Sequence, residues 1–359
     1  MDFGLSPEQE LLRDSLRGWL ADELSIERVR ETLDNDDAGV ASRAAGDASA
    51  MQGLAEQGVL GVMLPEEHGG AGLGLLDAVV VATEMGRALT TVSYHSACVT
   101  APLLLAGAGS AEQKSRWLPG VSSGKLLLSF AVGELGERDG ALTGELRFVP
   151  DTATADAFVV VSGNGSAARA WLVERDAAGL EARDYQNIDT TRQLGELQLS
   201  DTPAEALAES DDLAGLVARV NDAARVVLAA DSFGACERAL EEAIEYAGVR
   251  EQFGRVVASF QAVKHMCAET FAELEPLRSL GWYAAFAWDE QRDDAARTVA
   301  LLKAHSAEVS TRSVMATTQV YGGMGFTWEC NQQLWFKRVG YNRQALGGPV
   351  AERARALSL

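Results

Sequence analysis

The 359-residue chain is long enough for two or three packed units, and its 47% hydrophobic and 23% charged content is that of an ordinary globular protein. Its net charge of −21 argues against nucleic acid or an anionic membrane surface as partner, since both would repel it. No apolar run is long enough to span a bilayer, and Cys98, Cys236, Cys267 and Cys330 lie too far apart for a CxxC metal site.

The first third of the chain reads as helical. Ser6-Pro7-Glu8-Gln9 is a helix start, with Ser6 as N-cap, Pro7 at the first position and Gln9 three residues on. Leu11, Leu12, Leu16, Trp19 and Leu20 follow at helical spacing. The segment before them lacks the basic and apolar parts of a secretory leader, so the expectation is a cytoplasmic protein with reduced thiols. Asp34 to Gly46 is small and polar and reads as a loop. Helices are expected over Met51 to Gly58, Leu76 to Arg87 and Ser93 to Ala106, with a shorter one opening at Ser110. Leu64 to Gly74 is a Pro- and Gly-punctuated loop.

Near Gly124 the period changes. Leu126 to Val132, Leu142 to Val149, Ala157 to Val161, Ala170 to Val173 and Gly195 to Leu199 are short apolar runs bounded by turn residues, the pattern of an antiparallel β-domain. From about Asp211 helices return. One runs to about Ala247 with Gly248 as its stop. The next covers Ser259 to Gln291 with Pro276 inside. A third covers Ala295 to Val320 and stops at Gly322-Gly323, and a fourth runs from near Glu329 toward Tyr341. The predicted class is α+β, with an N-terminal helical domain (1–124), a middle antiparallel β-domain (125–210) and a C-terminal four-helix bundle (211–359).

Two segments carry most of the chemistry. The first is Arg250-Glu251-Gln252-Phe253-Gly254, continued by Phe260-Gln261-Ala262-Val263-Lys264-His265. The second is Gln319-Val320-Tyr321-Gly322-Gly323-Met324-Gly325-Phe326. A guanidinium at Arg250 suits a pyrophosphate, Phe253 can cover an aromatic edge, and Gly254 lets the chain turn away. Gln319 can bond a ribose or adenine edge, and Gly322-Gly323 lets backbone approach a ligand. Taken singly, Arg250 reads equally as a helix-end cation and Gly322-Gly323 as a helix cap.

Taken together and at this spacing, the two segments resemble the flavin-contacting signatures of acyl-CoA dehydrogenases. The helix–sheet–helix order over nearly the whole chain resembles that family's fold as well. The resemblance implies FAD as cofactor, held by Arg250, Gln252, Phe253, Gln261, Gln319, Gly322 and Gly323, with each flavin shared between two subunits. It also implies an acyl-CoA substrate, desaturated at the α,β position, and electrons passed to an electron-transfer flavoprotein.

The complementary half of the family site is altered. The β-domain loop reads Ser129 to Asp139 without the usual Thr-Glu-Pro-x-x-Gly-Ser-Asp, and Phe148-Val149-Pro150 stands where Trp-x-Thr is expected. Pro150 has no N–H to offer a flavin carbonyl. The resemblance places the catalytic glutamate at Leu346 or, as in isovaleryl-CoA dehydrogenase, at Ala224, and neither side chain can take a proton. Asp222, Asp231 and Glu329 are the nearest carboxylates by sequence. Arg225 is expected near the acyl pocket or as an ordinary bundle ion-pair partner. The reading is a subunit that lends half of a flavin site to a catalytic partner chain in an α₂β₂ heterotetramer, as in the heteromeric enzymes of actinobacterial steroid side-chain degradation. One alternative is a self-sufficient homotetramer with a relocated base such as Asp231, and another is a scaffold that does not bind FAD. A steroid-CoA substrate rests on the heteromer analogy alone.

Overall fold

A computed structural model describes residues 4–34 and 49–359. Helix α1 (Pro7–Glu23) starts as expected: Ser6 Oγ accepts from the Gln9 N–H at 3.3 Å, and Gln9 Oε1 accepts from the Ser6 N–H at 3.0 Å. Helix α2 (Ile26–Asp34) was not foreseen, and the loop expected over Asp34 to Gly46 lies, beyond Asp34, outside the described residues. Helix α3 (49–56) stands for the one expected over Met51 to Gly58. It is followed by α4 (Leu75–Arg87), α5 (Ala101–Ala108) and α6 (Ala111–Ser122). The regular helix expected from Ser93 is instead a π-helical turn, His95–Thr100, that runs into α5.

The middle domain holds two four-stranded sheets. Their orders are β1 (Leu128–Val132), β4 (Ala157–Ser162), β5 (Arg169–Glu174), β8 (Glu205–Ala206), and β2 (Leu135–Arg138), β3 (Ala141–Pro150), β7 (Leu194–Pro203), β6 (Leu180–Asp184). Pairing is antiparallel except between β1 and β4, which run parallel with Leu128 opposite Ala157. Strand β4 is apolar on both faces because it separates two cores: Phe158 and Val160 face one, Ala157, Val159 and Val161 the other.

The C-terminal helices are α7 (Leu213–Val249), α8 (Gln261–Asp289), α9 (Ala295–Tyr321) and α10 (Gln332–Gln344), with α11 (Pro349–Ser358) beyond them. Helix α7 passes through Gly248 and ends one residue later. Pro276 lies inside a continuous α8. Glu329 sits in the turn before α10 rather than in its first helical turn. A two-stranded ribbon, β9 (Glu251–Gln252) and β10 (Arg255–Val256), joins α7 to α8. None of the described helices is long and apolar enough to cross a membrane.

Helices α4 and α7 meet backbone to backbone at two glycines. A Cβ at Gly86 would lie 2.1 Å from the Asp231 carbonyl oxygen, and one at Gly234 would lie 1.9 Å from that of Thr83. Each helix therefore notches into the other. Gly234→Ala is expected to lower unfolding free energy by about 1–3 kcal/mol in a denaturant titration, because the backbones must separate to admit the methyl group.

Candidate functional site

The sequence motifs gather at one end of the bundle, where α7 and α9 end and α8 begins. Tyr246 of α7 and Tyr321 of α9 stack there with ring centroids 4.1 Å apart, and Tyr321 Oη donates to the Glu242 carbonyl at 3.1 Å. Arg250 caps α7, Gln261 opens α8, Gln319 lies in the last turn of α9, and Gly322-Gly323 opens the 3-10 turn that follows. All five are exposed. Among the described residues, the side chains of Arg250, Gln261 and Gln319 have no hydrogen-bond or ion-pair partner. Gln252 is also exposed, and its amide donates to the carbonyl of Glu251 at 2.7 Å.

Phe253 is the most telling of these residues. Gln252 pairs with Arg255, so Phe253 and Gly254 form a two-residue hairpin loop with φ of +52° and +78°. Such a loop favours Asn-Gly, and a phenylalanine in the left-handed region costs about 1–2 kcal/mol. The ring is 92% exposed and lies edge-on to Phe260 at a centroid distance of 6.1 Å. A large apolar side chain is thus presented to solvent from a strained turn, which is the kind of outlier that marks a ligand-binding position. Phe253→Asn is expected to raise thermal stability by about 1 kcal/mol, as read by melting.

A second feature lies between the β-domain and α10. It is a cavity of ≈ 770 Å³ lined by the π-helical turn, the end of β3, the β6–β7 loop, α10 and the Gln344–Leu346 segment. A bulge between Arg147 and Val149 gives Phe148 a φ of +55° and turns its ring to the mouth, edge-on to Tyr185 at 5.8 Å. Pro150 lies on the wall, with its carbonyl accepting from Ser129 Oγ at 2.6 Å.

Leu346 also lines this cavity, so one of the two positions considered for the family's glutamate faces it with a hydrocarbon. Ala224, the other position, is fully buried in α7 and lies outside the cavity wall. The wall has one carboxylate, Asp189, which the sequence did not single out. Its Oδ1 accepts from the Thr191 N–H at 3.0 Å and from Thr191 Oγ1 at 2.6 Å, and Oδ2 lies 3.4 Å from Arg338 Nε.

Two of the three carboxylates considered from sequence are engaged elsewhere. Asp231, 4% exposed, forms ion pairs with Arg192 at 2.9 Å and Arg338 at 3.1 Å and accepts from the Asn342 amide at 2.6 Å. Burial works to raise its pKa, but the two guanidinium groups and the amide outweigh burial and hold it below the usual carboxylate value. A general base needs a pKa nearer the working pH, so Asp231 is corrected from a candidate base to the centre of a buried ion cluster. Asp222 pairs with Arg225 at 3.0 Å and with Arg355 at 2.7 Å. Glu329 is exposed in its turn.

Arg225 is not at the cavity wall. It pairs with Glu352 of α11 at 2.9 Å and donates to the Leu346 carbonyl at 3.0 Å. It is a bundle ion-pair partner that also secures the segment carrying Leu346. Lys303 of α9 secures the same segment by donating to the carbonyls of Asn342 at 2.8 Å and Gly347 at 3.1 Å.

Lys303 and Gln319 lie roughly 24 Å apart along α9, at 1.5 Å per residue. The motif end and the Leu346 end are therefore at opposite ends of the bundle, and a single chain does not bring them together. Among the described residues no group of His, Cys, Asp and Glu is arranged to hold a metal ion, and the four cysteines are free thiols.

The acyl-CoA dehydrogenase N-terminal domain profile matches residues 6–125, and the C-terminal domain profile matches residues 217–349. The acyl-CoA dehydrogenase IpdE2 of Mycobacterium tuberculosis (strain ATCC 25618 / H37Rv) is 31% identical over 345 residues, covering 95% of this chain and 94% of that protein. The chain belongs to the acyl-CoA dehydrogenase family. Among solved structures, a Tcur3481-Tcur3483 steroid ACAD variant superposes with a TM-score of 0.86 at 29% identity, covering 98% of this chain and 97% of that one. A chain of the ChsE4-ChsE5 complex from Mycobacterium tuberculosis gives 0.87 at 26% identity, covering 100% and 98%. The family's fold is the one described above, with an N-terminal helical domain, a middle β-domain and a C-terminal helical domain.

Proposed function

We propose that this acyl-CoA dehydrogenase family member is the non-catalytic subunit of a heteromeric enzyme and lends one half of an FAD site to a catalytic partner chain. The observation that carries the reading is an asymmetry. Arg250, Gln252, Phe253, Gln261, Gln319, Gly322 and Gly323 are exposed at one bundle end, three of them with side chains that have no partner among the described residues. The chain's own cavity has Leu346 where the family's glutamate is expected.

The exposed set suits FAD. A free guanidinium can meet the pyrophosphate, two free carboxamides can meet ribose or adenine edges, and glycine backbone permits close approach. FAD supplies hydride acceptance, and the partner chain supplies the carboxylate that removes the α-proton. This chain orients and retains the cofactor. The heteromer analogy is supported by the two solved neighbours, one a steroid ACAD and one a complex of two named chains. A steroid acyl-CoA substrate, electron transfer to an electron-transfer flavoprotein and a cytoplasmic setting follow from the same reading. The domain limits that go with it are 1–124, 125–210 and 211–359.

The test is expression with and without the partner. The chain alone is expected to be colourless and inactive. The co-purified α₂β₂ complex should be yellow, active and hold half the flavin of a four-site tetramer. A yellow and active homomer would overturn the reading. Asp189 is the one carboxylate on the cavity wall among the described residues, so that second outcome would have to use it, although its Oδ2 is closed off against Arg338 at 3.4 Å. In a self-sufficient enzyme Asp189→Asn would abolish turnover, whereas in the heteromer it would leave turnover intact.

A further inference from the structure

The segment that joins α10 to α11 is half-buried, yet apolar packing does little to hold it: neither Ala345 nor Leu346 belongs to the hydrophobic core. Leu346 has a φ of +56°, a left-handed conformation that is strained for a branched side chain. Gly347 follows at +116°, where a Cβ would lie 2.5 Å from Glu352 Oε1.

Polar groups hold the segment instead. The last four carbonyls of a helix have no partner within it. In α10, that of Tyr341 accepts from the Ala345 N–H at 3.1 Å, and that of Gln344 accepts from the Gly347 N–H at 3.2 Å. The other two, of Asn342 and Arg343, accept from Lys303 Nζ at 2.8 and 3.3 Å, and the Gly347 carbonyl accepts from the same nitrogen at 3.1 Å. An ammonium has three N–H groups, so Lys303 directs all of them at the end of α10 and the turn after it. Lys303 is 2% exposed. Burial lowers its pKa to about 8, opposed by Glu352 of α11 and reinforced by Arg225 of α7 and Arg343 of α10, so it is chiefly charged at neutral pH. The Leu346 carbonyl, between these anchors, accepts from Arg225 Nε at 3.0 Å. On its other side the segment walls the cavity through Gln344, Ala345 and Leu346.

We propose that residues 345–348 are a strap across one side of the cavity, fastened by Lys303 and Arg225, that swings out as a unit between the ends of α10 and α11 while the bundle stays folded. Release lets Leu346 leave the left-handed region and opens the wall. Elements with few apolar contacts open in this local way, at a free energy below that of global unfolding. The strap belongs to this chain alone and does not rest on the flavin-donating role.

The test is hydrogen exchange of the full-length chain, read by mass on peptides covering 345–348 and α4. In the unaltered chain, exchange over 345–348 is expected to be nearly independent of urea up to about 1 M, because a small opening exposes little new surface. Exchange in α4 should rise with urea at the slope of global unfolding. Lys303→Met keeps the length of the side chain and removes its charge. It should speed the urea-independent exchange over 345–348 about 10- to 100-fold, the worth of one charge-assisted hydrogen bond. Urea-independent exchange at the end of α1, over 20–24, should stay within about twofold. Arg225→Met, which frees the Leu346 carbonyl, should act in the same direction as Lys303→Met and stands in for it should that variant not fold. Exchange over 345–348 that rises with urea at the slope of α4 would overturn the proposal on the unaltered chain alone. So would urea-independent exchange that neither substitution changes.

Discussion

If the proposed shared FAD site is right, Arg250→Ala, introduced into this chain and co-purified with the proposed catalytic partner, is expected to weaken FAD retention by about 10- to 100-fold, the worth of one or two charge-assisted hydrogen bonds. The complex itself should assemble as before. Arg250 is exposed, and its side chain has no partner among the described residues, so nothing inside the chain is lost with it. Its thermal midpoint without flavin should stay within the effect of an ordinary surface substitution, about 0.5 kcal/mol. The measurement is visible absorbance per complex after dialysis, followed by recovery of turnover on adding FAD. Unchanged flavin retention would favour the FAD-free scaffold reading instead. High salt should mimic the substitution in part, since an exposed guanidinium in a chain of net charge −21 acts through a screened field.

The largest stability loss is expected at Asp231. Asp231→Leu removes the carboxylate that faces both Arg192 and Arg338 and leaves the Asn342 amide with Ser232 Oγ as its one remaining acceptor. Arg338 would then keep only Asp189, at 3.4 Å, and the buried Arg192 guanidinium would be left with backbone carbonyls and no carboxylate. Breaking a buried ion pair in this way costs about 3–5 kcal/mol, a large share of the stability of an ordinary chain. The pH dependence has a definite sign. The folded pKa of Asp231 lies below its unfolded value, so its contribution is present above the ordinary carboxylate pKa and is lost as pH falls through the folded pKa. Denaturant midpoints of the unaltered chain should therefore drop on acidification below about pH 4, and Asp231→Leu should flatten that part of the profile. A catalytic role would instead appear as lost turnover with stability intact.

Much of this architecture could be read from residue order. Ser6-Pro7-Gln9 marked the first helix, and the long apolar stripes marked the bundle, because capping and helical periodicity are local properties. Helix α2 was missed because Ile26–Asp34 is short and highly charged. Helix α11 was missed because Gly347-Gly348-Pro349 reads as a stop, although Pro349 opens a helix. Strands β2 and β6, Leu-Gly-Glu-Arg and Leu-Glu-Ala-Arg-Asp, are exposed along most of their length and lack an apolar alternation. The parallel pairing of β1 with β4 depends on a crossover that no local pattern records.

The site divides in the same way. Arg250 to Gly254 and Gln319 to Gly323 could be singled out because each is a contiguous signature. The walls of the cavity could not. His95, Asp189 and Tyr341 come from a π-helical turn, a strand connection and a helix, and only packing brings them to one space. Asp231 misled for a related reason. A lone carboxylate on an apolar helix suggests chemistry until Arg192 and Arg338 arrive from distant elements.

The clasp between α11 and α7 bears on how this protein should be handled. Arg225 and Arg355 tie Glu352 and Asp222 together, and Arg225 also holds the Leu346 carbonyl. Trimming the chain at Gly348 would remove Glu352 and Arg355 and leave Arg225 and Asp222 to find new neighbours. The strand of backbone that closes one side of the cavity would lose its anchor. Affinity handles are better placed at the N-terminus, and any difference in ligand uptake between N- and C-terminally tagged preparations would report directly on that anchor.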